Sequence, residues 1–226
     1  MLVGPFGEYG LMARTRALKK TSVVVSPFPT AAERKKKRDD RRQALLAAAV
    51  RMFNERGFHT TSLDDVAASL GVTRPVVYHY LGNKDQVLFE CLSVGLAELQ
   101  EAADRAQSLD GSGLEQLRAF MRRWAEVSMN EFGKCIVGTD DSMLSPESCR
   151  EFRARKAKID RALRQLLKNA VTDGSAKVDD VRLTAFTLAG ALNWPARWYR
   201  EDGSMSAATI ARKTADMLCA GLCVKA

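Results

Sequence analysis

From Leu45 to the C-terminus, apolar side chains recur every three or four residues, and outside residues 23–25 nothing alternates apolar and polar. A period near 3.6 buries one stripe of a helix, whereas a half-buried strand needs a period of 2. The chain is therefore predicted to be all-α. Leu45, Ala48, Ala49, Met52 and Phe53 make the first stripe, and Gly57 stands where a C′ glycine ends a helix. Leu63, Val66, Ala67 and Leu70 make a second, shorter stripe behind Ser62, an N-cap residue with Asp65 as its capping-box partner. Thr73 caps a third short helix that carries Pro75 in its first turn, where a missing N–H costs nothing. Asn83, with Gln86 three places on, caps a much longer helix holding Val87, Leu88, Cys91, Leu92 and Leu99. Further helices are expected over residues 114–129, 146–169, 181–199 and 206–224, with a loop carrying Gly133 and Gly138 before Pro146.

Composition narrows the function classes. With 226 residues, 46% hydrophobic and 27% charged, the chain reads as a soluble globular protein of one or two domains. The nearest approach to a membrane span, residues 183–194, is far short of the ~20 apolar residues required and is broken by threonine, so no membrane association is expected. Five cysteines without a secretory leader argue against a disulfide framework and for a reducing cytoplasm. The two histidines, His59 and His79, have no zinc-like spacing to other ligands, and nothing completes a ligand set around Cys219 and Cys223. No nucleophile, acid–base dyad, metal set or cofactor motif stands out, so catalysis is not expected.

The net charge of +8 is uneven: residues 1–42 hold 11 basic and 4 acidic residues, leaving +1 for the rest. That segment reads either as an arm reaching for a polyanion or as a solvated basic tail. Three parts are expected: a disordered basic extension over 1–40, a small helical domain over 41–86, and a larger helical domain over 87–226.

Residues 62–80 have the composition of a helix-turn-helix. Gly71 permits the sharp turn, Val72 plugs the corner, and Leu63, Val66, Ala67, Leu70 and Val77 supply a small shared core. Arg74, Val76, His79 and Tyr80 remain to face outward, and an α-helix fits the ~12 Å major groove. Lys84 falls at about N1 of the long helix, where the macrodipole disfavours a cation. A DNA phosphate held there by Lys84 and the free helix N–H groups reverses that penalty.

The run Leu45-Leu46-Ala47-Ala48-Ala49, Gly57-Phe58, Thr61-Ser62-Leu63, Asp65-Val66-Ala67, Gly71-Val72-Thr73, Val77-Tyr78-His79-Tyr80 and Asn83-Lys84-Asp85 resembles the N-terminal DNA-binding domain of the TetR family of bacterial repressors. The resemblance spans about residues 42–92. It implies that Thr73 starts the recognition helix and that Arg74, Pro75 and Val76 face bases. It also implies that Tyr78 and Lys84 hold phosphates, that Thr61 and Ser62 touch the DNA backbone, and that His79 lies at the groove edge. Tyr80, read as outward-facing, joins the expected DNA-binding set. Residues 34–42 would enter a minor groove.

The block Asn193-Trp194-Pro195-Ala196-Arg197-Trp198-Tyr199-Arg200 resembles the C-terminal signature of TetR-type regulators of fatty-acid and steroid catabolism, several of which respond to acyl-CoA thioesters. An effector pocket is expected among Met121, Trp124, Met129, Phe132, Met143, Phe152 and Trp194, with Arg197 as a charged contact. Arg153, Arg155 and Lys156 could join Arg197 in meeting CoA phosphates, although the same aromatics also suit an ordinary core. Pro195 should kink its helix or free a carbonyl. Homodimerisation is expected through residues 181–199 and 206–224, by way of Ala185, Phe186, Ala189, Leu192 and Trp194 facing Ile210, Thr214, Met217, Leu218, Gly221 and Leu222. The expected function is repression from a palindromic operator, released by a small apolar effector. A helical enzyme or binding protein with an apolar substrate pocket is the alternative.

Overall fold

The structure, a computed structural model, describes Met1 and residues 30–223. Expectations for residues 2–29 and for Val224 lie outside the described residues. Two compact units divide the chain, Met1–Lys37 and Arg38–Ala226.

The element order is α1 (Ala31–Arg56), α2 (Leu63–Ser69), α3 (Arg74–Leu81), α4 (Lys84–Gln107), α5 (Gly113–Met129), α6 (Glu131–Gly138), a 3-10 turn (Asp141–Met143), α7 (Pro146–Thr172), α8 (Val181–Asn193), α9 (Pro195–Trp198) and α10 (Ala207–Ala220). Among the described residues the only extended pairing is an isolated bridge between Ala176 and Cys223. No described helix is long and apolar enough to cross a membrane. The fold is all-α.

Of the expected disorder over 1–40, the part that the structure describes is corrected: residues 31–40 are helical. Thr30 and Glu33 explain where the helix starts. The Thr30 N–H donates to Glu33 Oε2 at 2.6 Å, and the Glu33 N–H donates to Thr30 Oγ1 at 3.2 Å. Two orphan donors are thereby satisfied by one capping box, and the Ala, Lys and Arg residues that follow are strong helix formers.

In the second unit, the buried face of α1 (Leu45, Leu46, Ala49, Val50, Met52, Phe53) packs with Leu63, Val66 and Ala67 of α2 and Val77 and Leu81 of α3. Leu70, expected in that core, is exposed instead. α2 stops at Ser69, so Leu70 leaves the stripe, and Val72 fills the corner with its N–H donating to the Ala67 carbonyl at 3.0 Å. The expected boundary at 86/87 falls inside α4, whose Val87, Leu88, Cys91 and Leu92 are buried in a continuous helix.

Around α4 stand α5, α6 and α7, with α10 packed on α5, and α5 is clasped at its start. The Gly113 N–H donates to Asp173, and the Leu114 N–H donates to Ser175 Oγ at 3.0 Å. A Cβ on Gly113 would collide with the Ala170 backbone nitrogen, so only glycine permits this crossing.

Two further expectations are corrected. The segment with Gly133 and Gly138, expected as a loop, is the helix α6. Asn130 caps it by accepting the Gly133 N–H at 2.8 Å, and a Cβ on Gly133 would collide with the Val127 carbonyl oxygen. Gly133 therefore answers a close backbone approach and not a chain break. The helix expected over 181–199 is interrupted at Trp194, and Pro195 begins the separate four-residue α9.

Candidate nucleic-acid interface

Local capping positions the two short helices. Ser62 Oγ accepts the Asp65 N–H at 3.0 Å, and the Asp65 carboxylate accepts the Ser62 N–H at 2.9 Å. Gly71 sits at φ +63°, the left-handed region that favours glycine, and turns the chain into α3. On α3 the residues Thr73, Arg74, Pro75, Val76, Tyr78 and His79 are all exposed, while Val77 and Leu81 face inward. The Thr73 hydroxyl makes no capping bond and is free for another partner. Arg74 lies 5.1 Å over the Tyr78 ring and pairs with Asp64 at 3.1 Å, so the guanidinium is held in place at the surface. A phosphate or base edge replaces such an exposed carboxylate at little cost, because exposed ion pairs contribute little.

Three of the expected contacts are placed differently. Thr61 is buried, its hydroxyl directed at the Gly57 and Met52 carbonyls at 2.9 and 3.2 Å, so it ties α1 to the start of α2 and does not face DNA. The exposed Ser62 hydroxyl is engaged by Asp65 at 2.6 Å. Tyr80 is half-buried and packs on the core, since residues three and four beyond Val77 fall on the inner stripe of α3. Its carbonyl accepts from Arg42 Nε at 3.2 Å.

Lys84 occupies the first position of α4. Its ammonium lies 3.3 Å from the His59 carbonyl oxygen and 4.4 Å over the Phe58 ring, and partial desolvation lowers its pKa. Phe58 in turn stacks edge-on against Phe53 at 5.3 Å. The motif locates Lys84 but not this aromatic support, which depends on a turn bringing residues 26 positions apart together.

Asp85 has a role that the motif alone does not disclose. Its carboxylate accepts the Ser145 N–H at 2.7 Å, the Ser145 hydroxyl at 2.9 Å and the Ser148 hydroxyl at 2.7 Å. Burial alone would raise its pKa, but these bonds outweigh burial and the net shift is downward. The start of α4 is thus fastened to the N-terminus of α7.

The expected effector residues do not converge. Met121, Met129 and Phe152 are buried core, Phe132 and Met143 pack half-buried against it, and Trp194 is 65% exposed. Trp124 lines a cavity of about 280 Å³ between α4, α5, α7 and α8, together with Leu99, Ile159, Leu163 and Phe186. Lys156 stands at its edge, and a groove lined by Arg155 and Lys158 shares Leu96 and Ile159 with it. Arg153 is paired with Asp141 at 2.7 Å, and Arg155 with Glu151. Met143 and Arg197 line a different cavity.

The expected interface stripe is also redrawn. Ala185, Leu192 and Ile210 are buried within the subunit, whereas Leu183, Phe186 and Trp194 on α8 and Met217 on α10 are exposed. Leu183, Phe186, Gly190 and the C-cap Trp194 follow helical spacing, so α8 carries an exposed apolar face, with Arg164 and Arg182 flanking the Phe186 ring at 5.3 and 5.7 Å.

The sequence matches the family described as bacterial regulatory proteins, tetR family, over residues 45–91, and the tetracyclin repressor-like C-terminal domain over 110–222. It is 26% identical over 181 residues to the HTH-type transcriptional repressor KstR2 of Mycolicibacterium smegmatis, covering 79% of this chain and 88% of that one. Among solved structures it resembles the TetR family regulator PfmR of Thermus thermophilus with 30% identity and a TM-score of 0.71, covering 78% and 97% of the two chains. It also resembles AibR in complex with isovaleryl coenzyme A and operator DNA, with 27% identity and a TM-score of 0.70 over 80% and 97%. The chain belongs to the TetR family of bacterial regulatory proteins.

Proposed function

We propose that the protein is a homodimeric cytoplasmic repressor that reads a palindromic operator with α3 and leaves it on binding an acyl-CoA thioester. The exposed face of α3, beside Lys84 at the start of α4, carries this reading. Arg74 is the base-reading group, Thr73, Pro75, Val76 and His79 shape the contact, and Tyr78 and Lys84 hold phosphates at a helix N-terminus. Ser62 lies at the backbone side of α2. The apolar face of α8, with Met217 of α10, supports pairing of two copies, which places two recognition helices in successive major grooves.

For the effector, the cavity beside Trp124 takes the acyl chain, and Lys156, Lys158 and Arg155 along α7 meet the CoA phosphates. The AibR complex with isovaleryl coenzyme A and operator DNA supports that ligand class. Release then follows from unequal effector affinity for the DNA-bound and free conformations.

Fluorescence anisotropy with DNA from upstream of the chain's own gene tests the proposal. Sequence-selective binding that octanoyl-CoA weakens and free CoA does not is expected. Selective binding unaffected by acyl-CoA would remove the effector assignment, and non-selective binding would remove the repressor.

A further inference from the structure

A second cavity, of about 350 Å³, lies away from the α4–α7 groove, between the end of α1 and the end of α6. Phe53, Phe58, Leu88, Val137 and Met143 line it, together with Lys134 and Arg197. The two cations differ. Lys134 pairs with Glu131 at 3.3 Å, and Glu131 also accepts from Asn54 Nδ2 at 2.8 Å, so that positive charge is already answered. Arg197 donates only to the Val137 carbonyl, at 3.3 Å, and has no carboxylate partner among the described residues. The lining is mixed, because the polar Asn54 and Thr139 stand beside those apolar side chains. An exposed guanidinium without a carboxylate partner among the described residues suits a ligand with one apolar part and a single negative charge. A guanidinium also offers a carboxylate two parallel donors.

We propose that this cavity is a binding site for a small apolar carboxylic acid, its carboxylate on Arg197 and its chain against Phe53, Phe58, Leu88 and Met143. The volume falls within the range of ordinary ligand pockets. Occupancy bears on the DNA-facing surface through Phe58, because that ring lines the cavity and also lies beneath the Lys84 ammonium. The site needs neither the acyl-CoA groove nor DNA, so it stands or falls apart from the repressor assignment.

Octanoate is the probe and octanol its uncharged counterpart, with the ε-methyl NMR signal of Met143 reporting from inside the cavity. In full-length protein labelled at the methionine methyl, octanoate should move that signal saturably, and octanol should require at least about tenfold more, the scale of a lost charge-assisted hydrogen bond. Arg197→Met should raise the octanoate midpoint by a similar factor, with Arg197→Lys recovering part of it. A Met143 signal that stays still at saturating octanoate, or equal midpoints for octanoate and octanol in the unsubstituted protein, would overturn the site.

Discussion

Replacing Asp85 by alanine tests whether α4 and α7 are joined where the structure joins them. The carboxylate accepts three bonds of 2.7–2.9 Å from Ser145 and Ser148, and the Ser145 N–H left behind belongs to the N-cap residue of α7. A stranded donor costs about 1–3 kcal/mol, moderated here because the site is half-exposed and water can enter. Loss of a negative charge beside a helix N-terminus adds a few tenths. The expected destabilisation is about 2 kcal/mol, and at roughly 2–4 °C per kcal/mol for a chain of this size it lowers Tm by about 4–8 °C.

The pH dependence has a definite sign. Asp85 has a lowered folded-state pKa, so its contribution is present above the unfolded value of about 3.9 and is lost as pH falls through the folded one. Thermal unfolding followed by circular dichroism should therefore show a constant gap between the two proteins from about pH 7 to 5. The gap should narrow only below about pH 4. A variant within about 0.5 kcal/mol of the unsubstituted protein at pH 7 would refute the fastening.

Other consequences are equally direct. Lys84→Ala should weaken binding to all DNA sequences alike and flatten the slope of log K against log salt by about 2 for a dimer, near 0.9 per phosphate, as read by anisotropy across a salt series. Arg74→Ala should instead cost about 1–3 kcal/mol and relax preference at one base pair per half-site; equal loss of selectivity in both variants would contradict the division of roles. Phe152→Ala, at a fully buried site on α7, should destabilise by about 3–5 kcal/mol in urea titration, and a cost below about 1 would mean the core is misassigned. Leu183→Glu, on the exposed face of α8, should yield a folded monomer in sedimentation; a persistent dimer would place the interface elsewhere.

Local signals are legible in the sequence, and close approaches are not. The boxes Ser62–Asp65 and Asn83–Gln86 operate within four residues, so residue type and spacing determine them, and both form as expected. Thr30–Glu33 is the same device, hidden beneath a run of charge that reads as solvated tail. Gly133 resembles a breaker because its role is to let the Val127 carbonyl approach, a contact invisible until α5 and α6 fold together. Thr61 lies in the turn before α2 and Tyr80 at the last turn of α3, and at about 100° per residue a small error in register moves a side chain between the exposed and the buried stripe. The expected effector set fails for a different reason: Met121 and Phe152 suit a core as well as they suit a pocket, and helical periodicity alone does not distinguish the two.

The most direct measurement of the central claim is interference footprinting at guanine N7 in the major groove, on a palindrome selected from the upstream region. Twin α3 helices predict two symmetric patches of interference, centred roughly one helical turn or more apart, about 34–36 Å at the shortest, and both lost together when α8 is disrupted by Leu183→Glu. A single patch, or interference spread evenly along the duplex, would contradict the account.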